Sequence, residues 1–201
     1  LERGITLSNK INASKLAGSN PKLGRVEHDY YATPPHATID FLNNVILENV
    51  ERVLEPACGE GHMSKVLEKH FKNSIVDSSD LIDRGYGNAG IDFLKELYDI
   101  DYDLVITNPP FKYAQEFIEK SLKISNRYVV IFAKLQLLEG QKRYKLFKET
   151  PLKEVHVHSS RVSPYRNGSE VDENGKNGVL QWRLLGLCGI KNIQENLLLN
   201  G

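Results

Sequence analysis

In the stretch Asp103–Phe111, DLVITNPPF, an apolar run stops at Asn108-Pro109-Pro110 and is followed at once by the aromatic Phe111. The side-chain oxygen of Asn108 and the carbonyl oxygen of Pro109 are two acceptors set close together. The paired prolines stiffen that backbone and remove amide donors that would compete at the spot. Two such acceptors suit a planar amine whose lone pair is spread into a ring, because holding both hydrogens favours a pyramidal, more nucleophilic nitrogen. Phe111 can stack on the ring that carries the amine. Displacement at an electrophilic carbon held in line with that nitrogen needs mainly proximity, orientation and tuned hydrogen bonds, with no covalent protein nucleophile.

A second stop lies upstream, VLEPACGEG at Val53–Gly61. A strand ending in Glu55-Pro56-Ala57-Cys58-Gly59-Glu60-Gly61 and leading into a helix lets small residues bring the backbone close to a ligand at the carboxyl edge of a sheet. The pattern is neither GxGxxG nor GxxxxGK[ST], since no lysine and hydroxyl follow Gly61, which argues against a pyrophosphate. Asp80, closing IVDSSD, falls where doubly wound folds place an acid that accepts hydrogen bonds from a ribose diol, with a plain turn residue as the competing reading. Asp92-Phe93 offers an acceptor for an adenine amino group and a ring to lie on its face. Together the two stops predict a methyl donor held beside a planar amine.

Alternating strands and helices must position these groups. Pro34 and Pro35 can open a helix, and Ile39, Leu42, Val45 and Ile46 recur at helical spacing, so a helix ending near Glu48 is expected. Arg52–Glu55 reads as a buried strand and Glu60–His70, with Met63, Val66 and Leu67 on one stripe, as the helix after it. Ser74–Asp77 supplies a second strand, Phe93–Leu97 a short helical piece and Leu104–Thr107 another strand. Phe117, Ile118, Ser121 and Leu122 mark the next helix, and Tyr128–Ala133 suits an interior parallel strand. Val155 and Val157, then Val179–Leu187 beyond a polar loop at Asn167–Gly178, predict a terminal antiparallel hairpin that Trp182 packs against the sheet. The whole predicts an α/β fold, a doubly wound and mostly parallel sheet with that C-terminal antiparallel hairpin. Leu1–Arg25 has few large apolar residues and is expected to be a mobile N-terminal arm, leaving 26–201 as a single domain.

The 201 residues hold 26 basic and 26 acidic side chains, a formal net charge of zero. No apolar run is long enough for a bilayer and the polar start has no signal-peptide core, so no membrane partner is expected. Two cysteines, Cys58 and Cys188, are too few for a disulfide framework, and a cytoplasmic location is expected. A protein that grips nucleic acid unaided usually carries a basic excess, so polyanion contacts here must come from local clusters. Lys134, Lys142, Arg143, Lys145, Arg161 and Arg166 could form a basic rim or an ordinary solvated face, and Lys10, Lys15, Lys22 and Arg25 could add contacts from the arm. Cys58 reads as a small packed residue. His156 and His158 could project to one side as metal ligands, but no Cys or acidic cluster accompanies them, so they are read as structural and no metal is expected.

In order, VLEPACGEG, Asp80, Asp92-Phe93 and NPPF resemble the motifs of the S-adenosylmethionine-dependent N6-adenine DNA methyltransferases, over roughly residues 26–165. GRVEHDYYATPPHATIDFL resembles the segment that precedes the cofactor strand in that family, and the motif order is similar to its gamma arrangement. The resemblance implies a class I methyltransferase fold and methyl transfer from S-adenosylmethionine to the exocyclic N6 amine of adenine in DNA. It gives catalytic roles to Asn108, Pro109, Pro110 and Phe111. Cofactor contacts fall to Tyr31, Thr33 and Pro34 at the methionine end, to Glu55, Pro56, Ala57, Gly59 and Gly61 on the shelf, and to Asp80, Asp92 and Phe93 at the nucleoside. The target base must be flipped out or already unpaired. The family's second base-holding aromatic corresponds to Tyr165, so Tyr165 and Phe111 are the substrate-binding pair. Family members usually carry a separate recognition domain, whereas fewer than forty residues follow Tyr165. That leaves open relaxed specificity, recognition borrowed from a partner protein or second subunit, or another substrate. RNA and protein glutamine amides remain alternative substrates, since glutamine-methylating enzymes also use NPP plus an aromatic, and a catalytically silent S-adenosylmethionine-binding module remains an alternative class. Small enzymes of this type resemble those carried by phages and other mobile elements.

Overall fold

The computed structural model describes residues 30–158, 165–166 and 184–190. Strand β1 (Tyr31–Ala32) pairs antiparallel with β8 (Tyr165–Arg166) in a small sheet of its own. The main sheet has seven strands: β2 (Arg52–Glu55), β3 (Ile75–Asp80), β4 (Asn88–Ala89), β5 (Tyr102–Thr107), β6 (Ser125–Lys134), β7 (Leu152–Val157) and β9 (Leu184–Ile190). Their order is β4-β3-β2-β5-β6-β9-β7. Neighbours from β4 to β6 run parallel, and β9 lies antiparallel to both β6 and β7. The chain builds outward from β2 to β4 and then returns to place β5 on the other side of β2. That reversal makes the β2/β5 boundary the switch point where open α/β sheets hold ligands.

Helices α1 (Pro35–Asn43), α2 (Ser64–His70), α3 (Ala114–Ile124) and α4 (Gln141–Glu149), with short 3-10 turns at Phe111–Tyr113 and Leu135–Leu138, complete the described elements. Both faces of the sheet are covered, which is why the interior runs 104–106 and 129–133 are apolar and buried at consecutive positions. Val53, Leu104, Ile106, Val130 and Phe132 pack with Ala37, Phe41 and Leu42 of α1 and with Met63 and Leu67 at α2. On the other face Leu54 and Val105 meet Phe93 and Phe117, while Val129, Ile131 and Ala133 meet Ala114, Ile118 and Leu146.

Several boundaries differ from the sequence reading. α1 ends at Asn43 rather than near Glu48, because Asn44 Nδ2 donates to the Asp40 carbonyl at 2.7 Å and competes for an acceptor that a continuing helix would use. Val45, Leu47 and Val50 then reach the core from non-helical chain. The helix expected from Glu60 starts at Ser64, since Gly59 at φ 55° and Gly61 at φ 77° hold the preceding turn in left-handed conformations that a helix excludes. Phe93–Leu97 is a single turn, not a helix: the Lys95 and Glu96 amides donate to the Asp92 carbonyl at 2.9 Å, and the Leu94 amide donates to Asp92 Oδ1 at 3.2 Å. The expected hairpin is an antiparallel β7/β9 pair; the first part of the expected strand, residues 179–183, lies outside the described residues, and β9 as described spans Leu184–Ile190, runs past Leu187 and also fills the slot beside β6. α4 has no counterpart in the sequence reading, because QKRYKLFKE is too charged to show an apolar stripe. The arm Leu1–Arg25, the loop Asn167–Gly178, Arg161 and Trp182 lie outside the described residues. Among the described residues no helix is long and apolar enough to cross a membrane.

Candidate active site

Register brings the two stops together. Val53 pairs with Leu104 and Leu54 with Val105 in the parallel β2/β5 ladder, so both strands release their chains at the same carboxyl edge. A cavity of about 660 Å³ opens there, lined by both stops and by the Tyr31–Thr33 segment. Its size falls within the ~300–1,000 Å³ of small-molecule sites.

At the glycine stop the backbone is crowded by design of its neighbours. A Cβ on Gly59 would stand 2.4 Å from Cε2 of Tyr30, and one on Gly61 would stand 2.5 Å from the Tyr86 ring. Gly59 N–H donates to Asp80 Oδ2 at 2.8 Å, and the Ile82 amide donates to Oδ1 at 2.9 Å. Asp80 therefore fastens the shelf to the end of β3 while lining the cavity. Glu55, Pro56 and Ala57 also line it, whereas Gly59 and Gly61 shape the turn without doing so. Glu55 is only 2% exposed and receives the Ser64 hydroxyl, which itself accepts from Ser78 Oγ at 2.8 Å. Burial pushes the Glu55 carboxyl up to about 8, well above the ordinary carboxylate range. Cys58 is buried at the cavity wall and burial pushes its thiol up to about 12, which removes it as a nucleophile at neutral pH.

At the proline stop, Asn108 Nδ2 donates to the Tyr31 carbonyl at 2.8 Å. A carbonyl can only accept, so this bond fixes which end of the amide faces Tyr31. Asn108 Oδ1 is left buried with no hydrogen-bond partner among the described residues, on the cavity wall. Thr33 repeats the pattern: it is 3% exposed, lines the same cavity, and its Oγ1 is also buried and unpartnered. Both atoms belong to residues that line this cavity, where a bound ligand can complete their bonding. Pro109, Pro110 and Phe111 line the cavity beside Asn108. The Phe111 ring centroid lies 5.8 Å from that of Tyr31, and Lys134 Nζ sits 4.3 Å from the Phe111 centroid. Pro34 does not line the cavity; it is buried at the head of α1, where its carbonyl accepts the Ala37 amide at 3.0 Å.

Asp92 and Phe93 are at the cavity too, but both carry structural load. Asp92 Oδ2 pairs with Lys95 Nζ at 2.8 Å, and that hydrogen bond holds its carboxyl below the usual range. Phe93 is 2% exposed and its ring centroid is 4.8 Å from that of Phe117, so a ligand meets at most its edge. Tyr165 stands opposite Ala32 in the β1/β8 ladder, next to the cavity-lining segment. Of the basic rim, Lys134 is at the site, while Arg143 donates to the carbonyls of Gln136 and Glu139 at 2.8 and 3.0 Å and Lys145 pairs with Glu149 at 3.9 Å. His156 Nε2 lies 3.2 Å from Glu154 and its ring stands edge-on to Phe41 at 5.3 Å. Among the described residues no group of three or more His, Cys, Asp or Glu could hold a metal ion.

Sequence reasoning missed Tyr30, Arg84 and Tyr113. All three line the cavity, and Tyr113 is 41% exposed there. The lone signal for Tyr30 and Tyr113 was that each is an aromatic next to a motif; nothing in the loop 81–87 marked Arg84.

No family model matches the chain, and no curated protein matches it in sequence. Solved structures do match. A SAM-dependent O-methyltransferase from Thermotoga maritima superposes with a TM-score of 0.54 at 14% identity, covering 81% of this chain and 67% of its own. A Pyrococcus horikoshii protein proposed to be an RNA methyltransferase gives 0.60 at 18% identity, covering 87% and 92%. The methyltransferase subunit of a type I restriction-modification system from Streptococcus thermophilus gives 0.58 at 13% identity, covering 90% of this chain but only 47% of the subunit. At such identities the likeness carries the architecture alone, and it agrees with the strand order and switch point above: the chain has the class I methyltransferase fold.

Proposed function

We propose that this chain transfers a methyl group from S-adenosylmethionine to the exocyclic N6 amine of adenine in DNA. The observation that carries the reading is the Asn108 amide, which lines the cavity, whose nitrogen is spent on Tyr31 and whose buried oxygen has no partner among the described residues. That oxygen and the Pro109 carbonyl supply two acceptors for the two hydrogens of a flat NH2. Phe111 offers a stacking ring, and Lys134 beside that ring provides a cation near a target's phosphate. The pairing of Tyr165 with Ala32 supports Tyr165 as the second aromatic against the extruded base.

The site's residues fit the cofactor on their own evidence of need: the crowded Gly59 turn, the unpartnered Thr33 hydroxyl and the room in the cavity. Bound there, the cofactor supplies an electrophilic methyl carbon on a sulfonium. Tyr31 and Thr33 would order its methionine end, Asp80 the ribose, and Asp92 with the Phe93 edge the adenine.

The test is incubation with methyl-labelled cofactor and, separately, duplex DNA, single-stranded DNA, RNA and a peptide extract. Label at N6 of adenine in DNA, absent in Asn108→Ala, is the expected result. Label entering RNA or protein only would overturn the DNA assignment, and cofactor binding without transfer to any of the four would overturn catalysis.

A further inference from the structure

Arg84 belongs to no motif, yet it is the arginine of the cavity wall. It is carried by the loop between β3 and β4, and its guanidinium carbon sits 3.9 Å from the centroid of the Tyr30 ring. Tyr30 is itself moored to the shelf. Its hydroxyl accepts the Glu60 amide at 3.1 Å, and its ring occupies the space that a Cβ on Gly59 would need. Arg84 is thereby held over the glycine turn by a stacked aromatic rather than by a carboxylate.

Its bonding is incomplete. Arg84 Nε is buried and has no hydrogen-bond partner among the described residues. Asp80, four positions earlier, already takes two backbone amides, and Asp92 is paired with Lys95. A guanidinium cannot shed its proton, and because Arg84 lines the cavity its charged fork can meet an acceptor from the ligand; a planar carboxylate matches that fork.

Resting on the cofactor reading above, we propose that Arg84, held by Tyr30, binds the α-carboxylate of the cofactor's methionyl part and so selects ligands that carry the amino-acid tail. S-adenosylmethionine has one anionic group, that carboxylate; its sulfonium and ammonium would be repelled by a guanidinium. Arg84 stacks on Tyr30, the residue that precedes the Tyr31–Thr33 segment read as the methionine end of the site, and the far end of the tail, with its carboxylate, would lie there.

The test measures binding calorimetrically on the full chain with two probes, S-adenosylhomocysteine, which keeps the carboxylate, and 5′-methylthioadenosine, which lacks the amino-acid tail. Losing a charge-assisted hydrogen bond should weaken S-adenosylhomocysteine about 10- to 100-fold in Arg84→Gln. Binding of 5′-methylthioadenosine should stay within about twofold, and Arg84→Lys should recover part of the loss, since it keeps the charge but not the fork. Equal loss for both probes, or no loss for either, would overturn the assignment; a far-ultraviolet spectrum and melting curve like the parent's would show that such a loss is not unfolding. Failure of the parent protein to bind either probe is a separate result that overturns the cofactor reading and Arg84's role with it.

Discussion

Asn108→Ala separates a role at the reacting amine from a role in holding the fold. Truncation removes the 2.8 Å bond from Nδ2 to the Tyr31 carbonyl, a loss of about 1 kcal/mol. It also removes Oδ1, a buried oxygen without a partner, whose burial costs about 1–3 kcal/mol. Water entering from the adjoining cavity can serve the Tyr31 carbonyl. These contributions offset one another, so the unfolding free energy should change by no more than about 1 kcal/mol. Catalysis has no such offset. Removing a preorganised polar group aimed at the reacting atom costs about 3 kcal/mol, roughly 10²–10³ in the rate of the chemical step.

The assay pairs single-turnover transfer of labelled methyl to an adenine-containing oligonucleotide with urea denaturation of the same preparations. A slow step at near-parental stability is the expected pattern. A rate loss below tenfold would refute the acceptor role. A stability loss above about 2 kcal/mol would show instead that Asn108 is a strut between β5 and β1, with its unpartnered oxygen irrelevant to chemistry.

Thr33→Val should keep or slightly raise stability, because it deletes an unpartnered buried hydroxyl at nearly constant volume, while weakening S-adenosylhomocysteine about tenfold by calorimetry; unchanged affinity would remove Thr33 from the site. Gly59→Ala forces a side chain into φ 55° and against Tyr30, so it should cost about 1–2 kcal/mol and most of the cofactor affinity, with Tyr30→Ala in the same chain restoring only the part owed to the clash. The buried Glu55 carboxyl is protonated up to about 8 in the fold and only up to its ordinary 4.5 once unfolded. The folded state therefore binds the extra proton between those values, and stability should fall as pH rises through that window by on the order of 1 kcal/mol per pH unit, a slope that Glu55→Gln should flatten in pH-dependent denaturation. Cys58, buried and with its thiol pushed up to about 12, should resist iodoacetamide at pH 7 when its peptide is mapped by mass, and Cys58→Ala should still transfer methyl.

The sheet was legible because its interior strands announce themselves: Leu104–Thr107 and Tyr128–Ala133 are apolar on consecutive positions, as strands covered on both faces must be. The two stops were legible because glycine and proline constrain the backbone locally, and local constraint survives in sequence. Helix ends were not. Whether Val45 and Ile46 extend α1 depends on a single competition at Asn44, and whether Glu60 begins α2 depends on the signs of two glycine φ angles. Side-chain partners were the least readable. Asp92 reads as a ligand acceptor until Lys95 is seen on it, Phe93 reads as an open ring until Phe117 is seen against it, and Arg84 says nothing until the loop folds it onto Tyr30.

What brings two motifs about fifty positions apart to one cavity is the alignment of β2 with β5, and Asp103 sets it. Its Oδ2 accepts the amides of Glu51 and Arg52 at 2.9 and 3.0 Å, and its Oδ1 lies 3.6 Å from Arg127 at the start of β6. One carboxylate at the entry of β5 thus ties the entries of β2 and β6 to it. Parallel strands started in step finish in step, so Glu55 and Asn108 emerge side by side after their short runs. A shift of one residue would turn every side chain of β2 to the opposite face, exchanging Val53 and Leu54 between the two packing clusters that each now fills. The aspartate that opens DLVITNPPF therefore belongs to the site's geometry as much as the asparagine that ends its apolar run, although it sits at the far end of the strand and touches nothing in the cavity.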